Sequence, residues 1–248
     1  MPHQNRHTLN NGISVDCVIL GFDFEKLQVL LIERDSDSDD QASRYALPGD
    51  LIYDDENLNQ AAHRVLKELT GLENIFLEQS HAHGDVERTK RESDQKWLES
   101  VRDEPSLRVI TVAYYSLVNI NAFKPSPSNF AKSVVWKPLG EIEDLAFDHF
   151  EILTQARRTL QAKIKLKPIG FNLLPEKFTL SQLHKLYESI LGRELDKRNF
   201  RRKMMKLDIV ERLDEKQIGV PHKPSNFYKF NIENYQKLIE EGYDNFGF

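Results

Sequence analysis

A single cysteine, Cys17, in 248 residues excludes a disulfide within the chain and any zinc site built on cysteines. No apolar run approaches the ~20 residues that a membrane-spanning helix needs. The stretch from Met1 to Asn11 is polar and lacks the apolar core of a secretory signal. A cytoplasmic protein with no membrane partner is expected, and no internal repeat is visible. What the chain does have is ordinary globular material: 40% hydrophobic and 29% charged residues, enough for two modest domains. Its net charge of −5 hides an asymmetry. From Lys163 to Phe248 there are 17 basic against 12 acidic residues, whereas residues 1–162 hold 17 against 27. A basic module attached to an acidic body is the pattern of a nucleic-acid-binding domain joined to something else, although charge imbalance also arises without function.

Periodicity supplies the elements. Val15–Gly21 and Leu27–Ile32 are apolar runs separated by a short polar connection, which predicts a β-hairpin. A polar loop, Asp35–Ser43, follows, then an acidic turn at Asp54-Asp55-Glu56 and a helix from about Asn57 to Thr70 closed by Gly71. Val86–Pro105 is dense in charge and reads as an exposed insertion with one helical turn near Trp97-Leu98. Val109–Ile120 is rich in β-branched and aromatic residues and predicts a strand, with a shorter one at Val134–Pro138. Asp148–Leu166 has helical spacing. Phe178–Leu191, with Thr179 placed as its cap and Gly192 at its end, predicts an amphipathic helix. Lys197–Leu207 predicts another, with Phe200, Met204 and Leu207 inward. Ile209–Leu213 and Asn226–Asn231 complete a hairpin. Helix, turn, helix, hairpin is the order of a winged helix.

The segment LPGDLIYDDENLNQAAHRVLKELTGL, Leu47–Leu72, resembles the Nudix box, G-x5-E-x7-R-E-U-x-E-E-x-G-U with U aliphatic. In register, Asp50 takes the first Gly position and Glu56 the first Glu, while Arg64, Leu66, Glu68, Gly71 and Leu72 match. Val65 and Leu69 stand where the box has glutamates. The working motif sets carboxylates at i, i+3 and i+4 on one helix face to hold Mg²⁺ against a diphosphate. Glu68 alone is a poor metal site, so no metal, no cofactor and no catalytic residue are expected. Binding without turnover is the implied outcome; a residual hydrolase of a nucleoside diphosphate derivative is the rival.

In the second half, DKRNFRRKMMK, Asp196–Lys206, carries six basic residues and one acid. The bland reading is a solvated helix face. The functional one makes Lys197, Arg198, Asn199, Arg201, Arg202, Lys203 and Lys206 contacts to double-stranded DNA, joined by His222 and Lys223 on the wing. Arg198, Asn199 and Arg202 are the expected base readers, because Arg pairs bidentately with guanine and Asn with adenine. Lys203 and Lys206 are expected to anchor phosphates.

A Nudix-like domain followed by PIGFNLLPEKFTLSQLHKLYESILG and DKRNFRRKM resembles the Nudix-related transcriptional regulators of bacteria. That resemblance implies an α+β chain: a Nudix-like α/β/α sandwich over residues 1–150 with an insertion at about 86–106, a linker helix over 151–168, and a winged helix-turn-helix domain over 169–248. It also implies a homodimer on a palindromic operator, usually as a repressor, with the Nudix domain sensing an effector. One branch of the family answers ADP-ribose and controls NAD metabolism. Another, in Bacteroidetes, answers L-arabinose, and HRVLKELTGLENIFLEQ and GFNLLP look closer to it, so a pentose is the favoured effector. Arg34, Tyr45, Arg108, Asp148 and His149 are the expected effector contacts. The Asp148-His149 pair is also placed either to couple sensor to linker helix or simply to cap that helix. A non-sensing adaptor that uses the Nudix fold only to dimerise is a further alternative.

Overall fold

The computed structural model describes residues 8–34, 44–122, 124–126, 131–167, 169–219, 221, 223–243 and 246. Two compact units emerge: Met1–Leu20, Gln28–Ser116 and Asn121–Arg157 form one, and Gly21–Leu27, Leu117–Ile120 and Arg158–Phe248 the other. The loop expected at Asp35–Ser43 lies outside the described residues.

The first unit is built on a sheet whose main path runs β3(Tyr45–Ala46)–β2(Leu27–Arg34)–β1(Leu9–Phe22)–β6(Ile110–Val118)–β5(Glu78–His83). Strand β4(Gly49–Tyr53) pairs antiparallel with β1, and β7(Ala131–Pro138) with β2. Ser14–Phe22 of β1 is buried without a break, which is why, Ser14 and Asp16 apart, its sequence reads as an apolar run rather than an alternation. The β1–β4 register sets Asp16 opposite Gly49 and Val15 opposite Asp50. A Cβ on Gly49 would lie 1.8 Å from Asp16 Oδ1, so this close approach requires glycine. Helix α1(Leu58–Thr70) opens on a capping box in which Asn57 and Gln60 each bind the other's backbone N–H. It closes on Gly71 at φ +70°, where the glycine N–H donates to Lys67 O.

The insertion departs from expectation. It contains a ten-residue helix, α2(Glu92–Val101), not one turn, and Arg88, Asp94 and Leu98 are buried. Its charges read as solvent-facing because polar contacts, rather than an apolar stripe, hold it in place. Strand β5 was not expected, since EQSHAH is an edge strand without apolar alternation.

Helix α3(His149–Leu166) follows. The second unit then holds β8(Phe178–Thr179), α4(Leu180–Leu191), α5(Lys197–Leu207), the hairpin β9(Val210–Lys216)–β10(Asn226–Phe230), and α6(Ile232–Glu240). Phe178, expected to open the helix, pairs with β10 instead, as does Thr179, which caps α4 as expected through a capping box with Gln182. The core joins Leu183, Leu186, Tyr187 and Ile190 of α4 to Phe200 and Met204 of α5. His184 Nε2 lies 2.9 Å from Leu195 O, and its ring meets Phe200 edge-on at 5.0 Å, fixing the turn between the helices. Phe171 stacks on Phe230 at 3.9 Å. Helix α6 was not expected, although Ile232, Tyr235, Leu238 and Ile239 recur at helical spacing; none of its residues is buried.

Candidate functional site

The Nudix-box residues hold a structural ion cluster. Arg64 donates to Glu56 through Nε at 2.9 Å and Nη2 at 2.6 Å, to Glu68 at 2.9 Å and to Leu51 O at 2.9 Å. Its guanidinium sits 4.0 Å over the Tyr53 ring. The cluster ties helix α1 to strand β4. Burial works against the Arg64 charge, but the Glu56 and Glu68 carboxylates outweigh it and strengthen the protonated form. Val65 and Leu69 point into the core, 0% and 1% exposed. Among the described residues no group of three His, Cys, Asp or Glu side chains could hold a metal ion. With Glu68 already engaged by Arg64, these residues do not fit the Mg²⁺ site that the fold implies.

Beside the box lies a cleft of about 380 Å³, a common size for small-molecule sites. At its base, Asp16 is buried among cations. His149 Nε2 approaches Asp16 Oδ1 at 3.3 Å, and Leu47 N–H donates to His149 Nδ1 at 2.9 Å. The latter bond leaves Nε2 as the nitrogen that carries a proton towards Asp16. Arg88 binds Asp148 bidentately at 2.9 and 2.8 Å and reaches Asp16 at 3.5 Å. Burial pushes the Asp16 carboxyl up, but His149 and Arg88 together hold it well below the usual carboxylate range. Burial also raises Asp50, on the opposite side of the β1–β4 pairing.

The insertion forms one wall of this cleft, contributing Thr89, Trp97, Leu98, Val101, Arg102 and Asp103 as well as Arg88. Its anchor is Asp94, fully buried. One carboxylate oxygen takes Arg34 Nη1 at 3.0 Å and the other accepts the Phe147 N–H at 2.8 Å. Arg34 in turn packs against the Trp97 and Phe147 rings, 4.8 and 5.2 Å from their centroids, and the two rings meet edge-on at 6.0 Å. Phe147 holds φ +56°, a left-handed conformation uncommon for a bulky side chain.

Of the expected effector contacts, Arg34 and His149 line the cleft. Asp148 does not line it, but sets Arg88. Its carboxylate is committed to that arginine, not to capping α3. Tyr45 stands apart from the lining, with Lys137 Nζ 3.8 Å over its ring. Arg108 is exposed and donates to Gly84 O at 2.8 Å. Sequence reasoning missed Asp16, Arg88, Asp94, Trp97 and Arg102. The one signal for Asp16 was a charge inside an otherwise apolar strand, where charges seldom lie unpaired.

In the second unit, helix α5 buries Phe200, Met204 and Leu207 and exposes Lys197, Arg198, Asn199, Arg201, Arg202 and Lys206. Lys203 is half-buried, and burial lowers its amine. Asp196 caps the helix, accepting the Asn199 N–H at 2.7 Å. Arg202 Nη2 donates to Asn199 Oδ1 at 2.8 Å, aligning two of the expected base readers. Lys223 is exposed on the wing, and His222 lies outside the described residues.

Comparison with known proteins agrees with both halves. The NUDIX domain family matches residues 10–156, and the NrtR DNA-binding winged helix domain matches residues 170–230. The ADPR responsive transcriptional repressor NtrR of Acinetobacter baylyi is 34% identical over 227 residues, spanning 90% of this chain and 83% of that protein. The structure of Shewanella oneidensis NrtR complexed with a 27mer DNA matches with a TM-score of 0.65 at 26% identity, covering 90% of this chain and 95% of that one. A MutT/nudix family protein from Enterococcus faecalis shares the fold, with a TM-score of 0.64 at 23% identity over 93% of this chain and 89% of that one. The chain belongs to the NrtR family of transcriptional regulators, in which a Nudix domain precedes a DNA-binding winged helix.

Proposed function

We propose that this protein is a transcriptional repressor released from its operator by ADP-ribose, which its Nudix cleft binds without hydrolysing. The observation that carries the reading is the 34% identity, over 90% of the chain, to the ADPR-responsive repressor of Acinetobacter baylyi. It takes precedence over the pentose expected from the sequence. The cleft supports it chemically: arginines Arg34, Arg88 and Arg102 line it beside the rings of Trp97, Tyr53 and Phe147, groups suited to phosphates and a base. A neutral pentose is the second reading, favoured by the hydroxyl acceptors Asp16, Asp50 and Asp103 in the same lining.

The exposed cations of α5 bind double-stranded DNA, with Arg198, Asn199 and Arg202 on base edges and Lys197, Arg201, Lys203, Lys206 and Lys223 on phosphates. His222 joins them from the wing. Two copies of the chain occupy a palindromic operator. For ADP-ribose to act as a switch it must favour the DNA-free state, since equal affinity for both states shifts nothing. Isothermal titration of ADP-ribose and L-arabinose into the full chain, with Mg²⁺ present and products followed by chromatography, tests the reading. Saturable ADP-ribose binding without product supports it; binding of L-arabinose alone, or steady release of AMP, overturns it.

A further inference from the structure

We infer that Arg102, supplied by the insertion, is the phosphate-binding cation of the Nudix cleft, and that Asp50 accepts a hydroxyl of the same ligand. This rests on the cleft being the effector site. It adds the ligand class, a phosphate ester with an adjacent hydroxyl, and the residue that selects it.

Three arginines line the cleft, and two are already committed. Arg34 is ion-paired to Asp94 and packed against two rings. Arg88 is bidentate on Asp148. The Arg102 guanidinium makes no hydrogen bond or ion pair among the described residues, yet its main chain is well fixed. Its N–H closes helix α2 on the O of buried Leu98 at 2.8 Å. The side chain is half-buried, and the loss of water lowers its pKa, while the charges of Asp50 and Asp16 act the other way. A half-buried guanidinium that faces the cleft without a partner among the described residues is open to an anion entering it.

Asp50 is its counterpart. One carboxylate oxygen accepts the Leu51 N–H at 2.7 Å, and burial raises the carboxyl. Arg102 and Asp50 are thus opposite charges in one cleft, both partly stripped of water and not joined to each other. A ligand that offers anionic oxygens to the fork of Arg102 and a hydroxyl to Asp50 satisfies both. Glu68, a second box acid in the cleft lining, does not oppose the anion with its full charge, because Arg64 holds it at 2.9 Å. A neutral sugar would give Arg102 no anionic partner, so the residue favours the phosphorylated ligand.

The test is calorimetric titration of the full chain with pyrophosphate, ribose 5-phosphate and D-ribose. The variants are Arg102→Ala, Arg102→Lys and the exposed control Arg108→Ala. The expected result is that the unmodified chain binds both phosphates, and that Arg102→Ala loses roughly tenfold or more in affinity for each. Arg102→Lys should fall between, Arg108→Ala should match the unmodified chain, and D-ribose should not distinguish the variants. Thermal unfolding should be nearly unchanged in Arg102→Ala, because no bond is lost with the side chain. Equal phosphate binding with and without Arg102, or no phosphate binding at all, overturns the inference. ADP-ribose binding that ignores Arg102 would overturn it and leave the effector reading standing. Phosphates bound through Arg102 without any binding of ADP-ribose would do the reverse.

Discussion

Asp94 of helix α2 lies 3.0 Å from Arg34 at the end of β2, with the two side chains 0% and 1% exposed. A fully buried ion pair between an insertion and the sheet it covers makes that insertion part of the domain rather than an appendage. Removing one partner of such a pair typically costs about 3–5 kcal/mol, because the other charge is left buried alone. Asp94→Ala should therefore lower the unfolding free energy by that amount, read as a lower urea midpoint with an unchanged slope. It should also weaken effector binding, since Trp97 and Arg102 ride on the same helix. Arg34→Met combined with Asp94→Leu should recover much of the stability. Equal stability of Asp94→Ala and the unmodified chain would show that the insertion is not anchored by this pair.

The Asp16 carboxyl predicts how the first unit responds to acid. Its folded pKa lies below the ordinary value of 3.8, so at low pH the unfolded chain binds more protons than the folded one. The stability it contributes is complete above about pH 4 and is lost as pH falls towards its folded pKa. Asp16→Asn should lower stability at pH 7 and flatten the fall in stability below about pH 4. Denaturation midpoints at a series of pH values check this, and an unchanged acid slope in the variant would contradict it.

Restoring the missing glutamates of the Nudix box should not restore an enzyme. Val65 and Leu69 are packed in the core, so a carboxylate at either position loses its water without gaining a partner. Val65→Glu and Leu69→Glu should each destabilise the chain by several kcal/mol, on the order of the cost of a buried unpaired charge. Together they should yield no Mg²⁺-dependent release of AMP from ADP-ribose. A soluble, stable double variant with hydrolase activity would mean that these positions face the cleft.

The recognition helix makes a prediction in terms of salt. Arg198→Ala and Arg202→Ala should each weaken operator binding by about 1–3 kcal/mol and reduce the preference for operator over random DNA. Lys206→Ala should weaken both kinds of DNA alike and make binding less steeply salt-dependent. Binding isotherms at three salt concentrations separate the two classes; an operator affinity that survives the double arginine change would place the reading surface elsewhere.

Much of this architecture was legible because local chemistry and long-range packing agree. Asn57, the apolar spacing of α1 and Gly71 each say helix start, helix face and helix end, and the structure uses all three. Thr179 and Gly192 do the same for α4, and the inward trio Phe200, Met204 and Leu207 for α5. The cleft was less legible. Arg34 and His149 stood out as charged residues beside apolar segments, but Arg102 and Trp97 sit in a run so rich in charge that no periodicity marks a buried face. The helix there is held by Asp94, through an arginine 60 residues away and the backbone of Phe147, and neither contact leaves a trace in local spacing. Asp16 was visible only as an anomaly: one carboxylate between the apolar, buried Val15 and Cys17.

In the proposed mechanism an effector in the Nudix cleft controls DNA binding by the winged helix. Fluorescence anisotropy tests it most directly, using labelled DNA from upstream of the protein's own gene cluster at fixed salt, titrated separately with ADP-ribose and L-arabinose. The expected result is saturable binding that ADP-ribose reverses in a concentration-dependent way and L-arabinose does not. Release by L-arabinose alone, or a complex that ADP-ribose leaves intact while occupying the cleft, would contradict it.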